Sequence, residues 1–204
     1  RIGRFDQLAI GGDGLAAREL LKYPTIEEIR LVDLDPGMTE LFRDHPLLSE
    51  INQKSLRSPK VKITNADAFP WLEQNREPFD AAIIDFPDPT NFSLGKLYTT
   101  AFYRLLKKNI AAGGLVVVQS TSPLFARQSF WCIVETMKQA GWQTKPYHAY
   151  VPSFGEWGFV LASHQPYEPP LQLPAGLKFL TTRNLPTLFE FPADMQATPV
   201  EPNR

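Results

Sequence analysis

The chain has 204 residues, 43% hydrophobic and 21% charged, with 21 Lys and Arg against 22 Asp and Glu for a net charge of −1. That length suits one α/β domain with an appendage, which buries about 70% of the surface its unfolded chain would expose. Basic residues do not cluster into the face a nucleic acid requires, no apolar run nears the ~18 residues of a membrane span, and no signal peptide is present.

The single cysteine, Cys132, lies in the apolar stretch Phe130-Trp131-Cys132-Ile133-Val134 and reads as a buried, inert thiol. The three histidines, His45, His148 and His164, show no metal-ligand spacing, so no metal site is expected. The chain starts at Arg1 rather than Met and enters a strand pattern almost at once, and it is expected to be an excised piece of a longer protein.

Short β-rich runs alternate with helical patterns, the signature of βαβ units and a parallel sheet. Gln7 to Ile10 is the first strand, and Gly11-Gly12-Asp13-Gly14 follows it. A helix runs from about Leu15 to Lys22 with Leu20 and Leu21 inward, then a strand from Ile29 to Asp33. Pro36 opens a helix carrying Met38, Leu41 and Phe42. The polar stretch His45 to Pro59 is expected to be an excursion. Val61 to Asn65 alternates as a third strand, and a short helix from Phe69 to Gln74 leads to a fourth strand, Phe79 to Asp85. Its run Ala81 to Ile84 lacks alternation, as expected of a central strand covered on both faces.

A loop from Phe86 to Tyr98, with Asn91 and Gly95, precedes a helix over Thr100 to Asn109 that stops near Gly113-Gly114. Leu115 to Gln119 is the fifth strand and Phe125 to Ala140 the last clear helix. Two closing strands, Thr144 to Val151 and Trp157 to Ala162, are close enough to form an antiparallel hairpin. Eight of the 19 prolines follow Ser163, so the tail is expected to be extended or to form short turns. The expected organisation is therefore a nucleoside-binding domain over 1–163 and a Pro-rich extension over 164–204.

Open α/β sheets bind ligands beyond the carboxyl ends of their strands. The polar residues there are Asp13, Asp33, Asp67, Asp85 with Asp88, and Gln119. Any one acid is better explained as a helix cap; the whole set favours a shared pocket. Glycines at 11, 12 and 14 let the backbone approach a ligand. Asp13 would repel a phosphate at the helix start and instead suits a sulfonium or an ammonium. Asp33 follows the glycine turn by about 20 residues, the usual place of an acid that binds ribose hydroxyls; Asp35 is the alternative cap. Asp67, followed by Ala68, is equally suited to an adenine amine or to capping the next helix.

The sharpest signal is Asp85-Phe86-Pro87-Asp88-Pro89, a double-acid turn stiffened by two prolines at the end of a buried strand. An alkyl amine with a pKa of ~10 is protonated at neutral pH and cannot attack until a base takes its proton. One carboxylate can do that while a second holds the far end of a diamine.

With these residues the chain resembles the spermidine synthases and related polyamine aminopropyltransferases. The anchors are Gly11-Gly12-Asp13-Gly14 with Arg18-Glu19, Val32-Asp33-Leu34-Asp35, Asn65-Ala66-Asp67, the double-acid turn, Leu97-Tyr98 before Phe102-Tyr103, Gln119, and Pro152-Ser153-Phe154 before Gly158-Phe159. The resemblance covers about Leu8 to Ser163. It implies a Rossmann-like, seven-stranded, methyltransferase-type α/β fold, mostly parallel, with a C-terminal antiparallel hairpin. It implies transfer of the aminopropyl group of decarboxylated S-adenosylmethionine to an amine such as putrescine, with no prosthetic group and no metal. Asp85 is then the base. Asp88, Tyr98, Gln119 and Phe154 bind the amine substrate. Gly11, Gly12, Asp13, Gly14, Asp33, Asp67 and Ala68 bind the nucleoside co-substrate.

Phe154 stands where the family commonly has a substrate-contacting tyrosine, Ile10 and Leu15 where it often has glycine, and the family's small N-terminal β domain is not expected within these residues. The chain is most similar to a subgroup in which this domain follows transmembrane helices. That implies a cytoplasmic domain of a parent anchored in the inner membrane, and it allows a homodimer. Two other functions share the fold: an S-adenosylmethionine-dependent methyltransferase, and a non-catalytic domain sensing nucleosides or polyamines for a membrane protein. The acids at 13, 85 and 88 argue against a pocket built for the carboxylate of intact S-adenosylmethionine.

Overall fold

The computed structural model describes residues 5–89, 92–168, 170 and 172–204. Its seven strands form one sheet in the order β3-β2-β1-β4-β5-β7-β6. This is the expected Rossmann-like, methyltransferase-type architecture. The chain divides into two compact units, Arg1–Pro87 with Arg104–Val116, and Asp88–Tyr103 with Val117–Arg204.

In the first unit β1 (Phe5–Ile10) lies between β2 (Ile26–Asp33) and β4 (Phe79–Ile84), parallel to both. β3 (Val61–Asn65) pairs with β2, also parallel. Helix α1 (Leu15–Leu20) starts at Gly14, whose φ of 75° is the left-handed conformation that glycine adopts freely. Helix α2 (Pro36–Asp44) has proline in its first turn and is capped by Asp35, whose side chain accepts from the Gly37 amide at 2.8 Å. Ala9, Ala17, Ile29, Leu31 and Leu56 form a buried cluster, with Leu20, Leu21 and Phe42 packed against it. Met38 and Leu41 are largely exposed, and Thr39 is the buried residue of α2.

The stretch from His45 to Pro59 is not the loose excursion its polarity suggests. It folds into helix α3 (Pro46–Ile51) and a 3-10 turn (Ser55–Arg57). Its polar side chains are buried because they satisfy backbone carbonyls. Asn52 Nδ2 donates to the carbonyls of Asp13 (2.9 Å) and Phe42 (3.0 Å), and Ser55 Oγ donates to that of Gly14 (2.7 Å). The segment braces the glycine turn.

Helix α4 (Ala68–Gln74) follows β3. Along the chain α5 (Phe92–Gly95), a 3-10 turn (Lys96–Tyr98) and α6 (Thr100–Lys108) follow; the predicted loop residue Asn91 lies outside the described residues. Strand β5 (Ile110–Gln119) begins at Ile110 rather than Leu115. Asn109 explains the early start: its Nδ2 donates to the Leu105 carbonyl at 3.0 Å and the Leu72 carbonyl at 3.1 Å, ending the helix before the glycines are reached.

In the second unit α7 (Arg127–Gln139) precedes β6 (Gln143–Val151) and β7 (Gly155–Ser163), which pair antiparallel from Gln143↔Ser163 to Val151↔Gly155. The Pro-rich tail contributes one 3-10 helix (Pro186–Phe189) and straps itself to α7. Trp131 Nε1 donates to the Met195 carbonyl (2.9 Å), Arg127 Nε to that of Gln196 (2.6 Å), and the Asn203 amide to Thr136 Oγ1 (2.8 Å). The Phe191 ring lies 5.2 Å from that of Trp131 and 4.9 Å from His148.

Candidate active site

The register of β1, β2 and β4 assembles the acidic cluster of the first unit. Ile10 pairs with Val32 on one side and Ile84 on the other. The next residue on each strand is therefore Gly11 flanked by Asp33 and Asp85, and the Asp85 amide donates to the Ile10 carbonyl at 3.0 Å. Gly11 has a φ of 139°, and a Cβ there would stand 3.5 Å from the Asp85 Cβ. At Gly12 a Cβ would come within 2.8 Å of Asp33 Oδ2 and 2.9 Å of Met38 Cγ. Gly12 is thus what lets the Asp33 carboxylate lie against the turn.

Asp13 Oδ1 accepts from the Leu15 amide at 2.9 Å, which orients the side chain at the start of α1. Asp33 Oδ1 accepts from the Asp35 amide at 2.7 Å. Asp67 does take the capping role: its Oδ1 accepts from the Phe69 amide at 3.0 Å, and Ala68 is the buried first residue of α4. The Ala66 amide donates to the Asp33 carbonyl at 3.0 Å, tying this segment to the end of β2.

Asp85 retains access to solvent. Even so, partial loss of hydration pushes its carboxyl above the ordinary carboxylate range, and the nearby charge of Asp13 adds to the rise. A carboxylate held in this way is a better proton acceptor than one in free water. Asp13, Asp33 and Asp85 are therefore gathered round one glycine turn, whereas Asp67 is committed through one oxygen to its helix.

The second unit holds a separate cluster. Asp88 Oδ2 accepts from Thr121 Oγ1 at 3.0 Å, and Asp88 Oδ1 accepts from Gln119 Nε2 at 3.4 Å. The buried Gln119 Oε1 has no hydrogen-bond partner among the described residues, which is costly unless a ligand supplies a donor. Thr121 escaped the sequence reading. It is only 5% exposed and has a φ of 59°, an outlier for a β-branched residue. Such strain costs about 1–3 kcal/mol and gathers at functional sites.

Tyr98 is almost fully buried and lines a cavity of about 550 Å³ with Pro89, Cys132 and Glu201. Phe154 is 61% exposed on the β6–β7 turn, its ring 5.1 Å from that of Trp157. Cys132 is half-buried rather than fully buried, with its thiol 3.2 Å from the Glu201 carbonyl. Among the described residues no group of three or more His, Cys, Asp or Glu is arranged to hold a metal ion, and no helix is long and apolar enough to cross a membrane.

A model of the spermine/spermidine synthase domain matches residues 8–172. A polyamine aminopropyltransferase of Leptospira interrogans is 53% identical over 194 residues, covering 95% of this chain and 39% of that protein. Polyamine aminopropyltransferase 2 of Ralstonia nicotianae is 52% identical over 196 residues, covering 95% of this chain and 38% of that protein. The chain thus spans less than two-fifths of the length of these relatives. Among solved structures, a spermidine synthase in complex with the transition-state analogue AdoDATO matches with a TM-score of 0.81 at 24% identity, over 92% of this chain and 67% of that one. The spermidine synthase of Thermotoga maritima matches with a TM-score of 0.80 at 22% identity, over 94% of this chain and 67% of that one. At those identities the likeness is one of fold.

Proposed function

Because the chain belongs to the spermine/spermidine synthase domain family, we propose that it is the catalytic domain of a polyamine aminopropyltransferase. The reaction moves the aminopropyl group of decarboxylated S-adenosylmethionine to a putrescine-like amine. The observation that carries this reading is Asp85: a carboxyl at the end of β4, beside Gly11, its pKa raised by partial loss of hydration and by Asp13.

The amine nitrogen gives up a proton to Asp85, and its lone pair attacks the aminopropyl carbon bonded to the sulfonium. The new C–N bond forms as the C–S bond breaks, and the sulfur leaves with both electrons as neutral methylthioadenosine. Because the leaving group is already activated, most of the rate comes from positioning and deprotonation. Asp13 attracts the cationic aminopropyl arm. Asp33 takes the ribose hydroxyls, with Gly12 allowing its approach. Asp67 takes the adenine amine, beside Ala68. Asp88 and Gln119 hold the far ammonium of the amine, and Tyr98 and Phe154 contribute apolar surface along its methylenes.

The finer reading of the parent is a cytoplasmic catalytic domain of a membrane-anchored chain. The methyltransferase alternative is separated by calorimetry of the intact protein with decarboxylated and intact S-adenosylmethionine. Tighter binding of the decarboxylated form is expected, because acids repel a carboxylate. Preference for the intact form would overturn the proposal.

A further inference from the structure

The geometry points to Thr121 as a positioning residue that fixes the Asp88 carboxylate and reserves one of its oxygens for the ammonium of the acceptor amine. The inference rests on the aminopropyltransferase reading and deepens it at the amine end.

Three observations converge on Thr121. Its hydroxyl makes the shorter of the two hydrogen bonds to Asp88, 3.0 Å to Oδ2, while Gln119 Nε2 reaches Oδ1 only at 3.4 Å. Oδ2 is thus committed to the protein, and Oδ1 is the oxygen left for a ligand. On the same side chain that reaches it, Gln119 Oε1 is a buried acceptor without a donor among the described residues. An ammonium placed between these two oxygens would satisfy both, and it carries three donors and no acceptor.

The second observation is the backbone. Thr121 is held at a φ of 59° although threonine disfavours that region. A bracket of hydrogen bonds keeps it there: the Ser120 amide donates to the Gly158 carbonyl at 2.9 Å, and the Gly158 amide donates to the Thr121 carbonyl at 2.7 Å. Ser122 Oγ adds a bond to the Glu156 carbonyl at 2.6 Å. An ordinary extended continuation of β5 would carry the hydroxyl elsewhere, so the strained turn is what aims it at Asp88.

The third is the support of the bracket. Gly158 packs against the buried Phe130 ring so closely that a Cβ would stand 2.4 Å from it. Position 158 therefore admits no side chain without moving the turn. The line Phe130, Gly158, Thr121, Asp88 is a continuous set of contacts that ends on the carboxylate and makes no use of Thr121 for chemistry.

The test compares Thr121→Val, which keeps the shape and loses the hydroxyl, with Thr121→Ser, which keeps the hydroxyl. In the intact protein Thr121→Val should raise the amine KM roughly 10- to 100-fold, the worth of a hydrogen bond to a charged group. KM for the nucleoside co-substrate should hold, and Thr121→Ser should restore the amine KM to within about 3-fold of the parent. An unchanged amine KM in Thr121→Val, or equal damage by both substitutions, would overturn the inference. If the parent transfers no aminopropyl group at all, the functional reading falls instead, and crystal structures of the three proteins decide the positioning role. An Asp88 carboxylate turned away in Thr121→Val but held in Thr121→Ser supports it, and one that stays put in Thr121→Val refutes it.

Discussion

Gly158→Ala probes the packing that supports the Asp88 cluster, and its size follows from three distances. The added methyl would stand 2.4 Å from Phe130 Cε2, 2.5 Å from Cδ2 and 2.8 Å from the Thr121 carbonyl oxygen. Comfortable carbon contacts lie near about 3.5–4.0 Å, so something must yield by about 1 Å. The ring cannot swing freely, because Phe130 is fully buried and packs 5.1 Å from Trp131 and 5.7 Å from Phe191. The carbonyl on the other side belongs to the strained turn and is bonded to the Gly158 amide itself at 2.7 Å. Overpacking of this kind costs about 1–3 kcal/mol, and about 2–4 °C of Tm is lost per kcal/mol in a domain of this size. Calorimetric unfolding should therefore show a drop of several degrees. The displaced Thr121 should also weaken acceptor-amine binding while sparing the nucleoside. A Tm within ~1 °C of the parent together with an unchanged amine KM would show that the turn relaxes at no cost, and the packing account would be wrong.

Asp85→Asn should lower kcat by about 10²–10⁴-fold if the carboxylate takes the amine proton, and the acidic limb of the parent's kcat/KM profile should lie above the ordinary carboxylate range because its pKa is raised. The same shift fixes a stability sign: the folded state holds the proton more tightly than the unfolded chain, so wild-type stability falls as pH rises through the window above the ordinary value. Asp85→Asn should then be slightly more stable than the parent at pH 7, damped by solvent screening, and lose that advantage near pH 3; equal stability at both pH values in chemical denaturation would refute the assignment. Asp35→Ala removes the α2 cap and should cost about 1 kcal/mol with kcat unchanged, whereas Asp33→Asn should chiefly raise the nucleoside KM; the reverse pattern in unfolding and kinetics would exchange their roles. Trp131→Phe loses the bond to the Met195 carbonyl and should speed proteolytic release of the tail beyond Ser163, read by limited digestion and mass analysis, and an unchanged rate would show that the strap is held elsewhere.

The strand ends were legible because a parallel strand must finish where its apolar run finishes, and the first polar residue beyond it lies on the ligand-binding rim. Asp33 and Asp85 flank Gly11 through a register that alternation and turn residues already imply. The closing hairpin was legible for the same local reason. The segment from Pro46 to Arg57 was not. Asn52 and Ser55 are polar in sequence, and only the carbonyls of Asp13, Phe42 and Gly14 explain their burial. Asp67 shows the opposite limit: cap and ligand acceptor share one pattern, and geometry commits one oxygen to the helix. Thr121 lay beyond pattern altogether, since a left-handed threonine is set by tertiary hydrogen bonds rather than by its neighbours in the chain.

The most direct measurement is mass analysis of products after incubating the intact protein, and its Asp85→Asn variant, with decarboxylated S-adenosylmethionine and a panel of amines. The account predicts an acceptor heavier by one aminopropyl unit, with methylthioadenosine formed in equal amount, and near-loss of both in the variant. Methylated acceptors from intact S-adenosylmethionine, or undiminished transfer by Asp85→Asn, would contradict it.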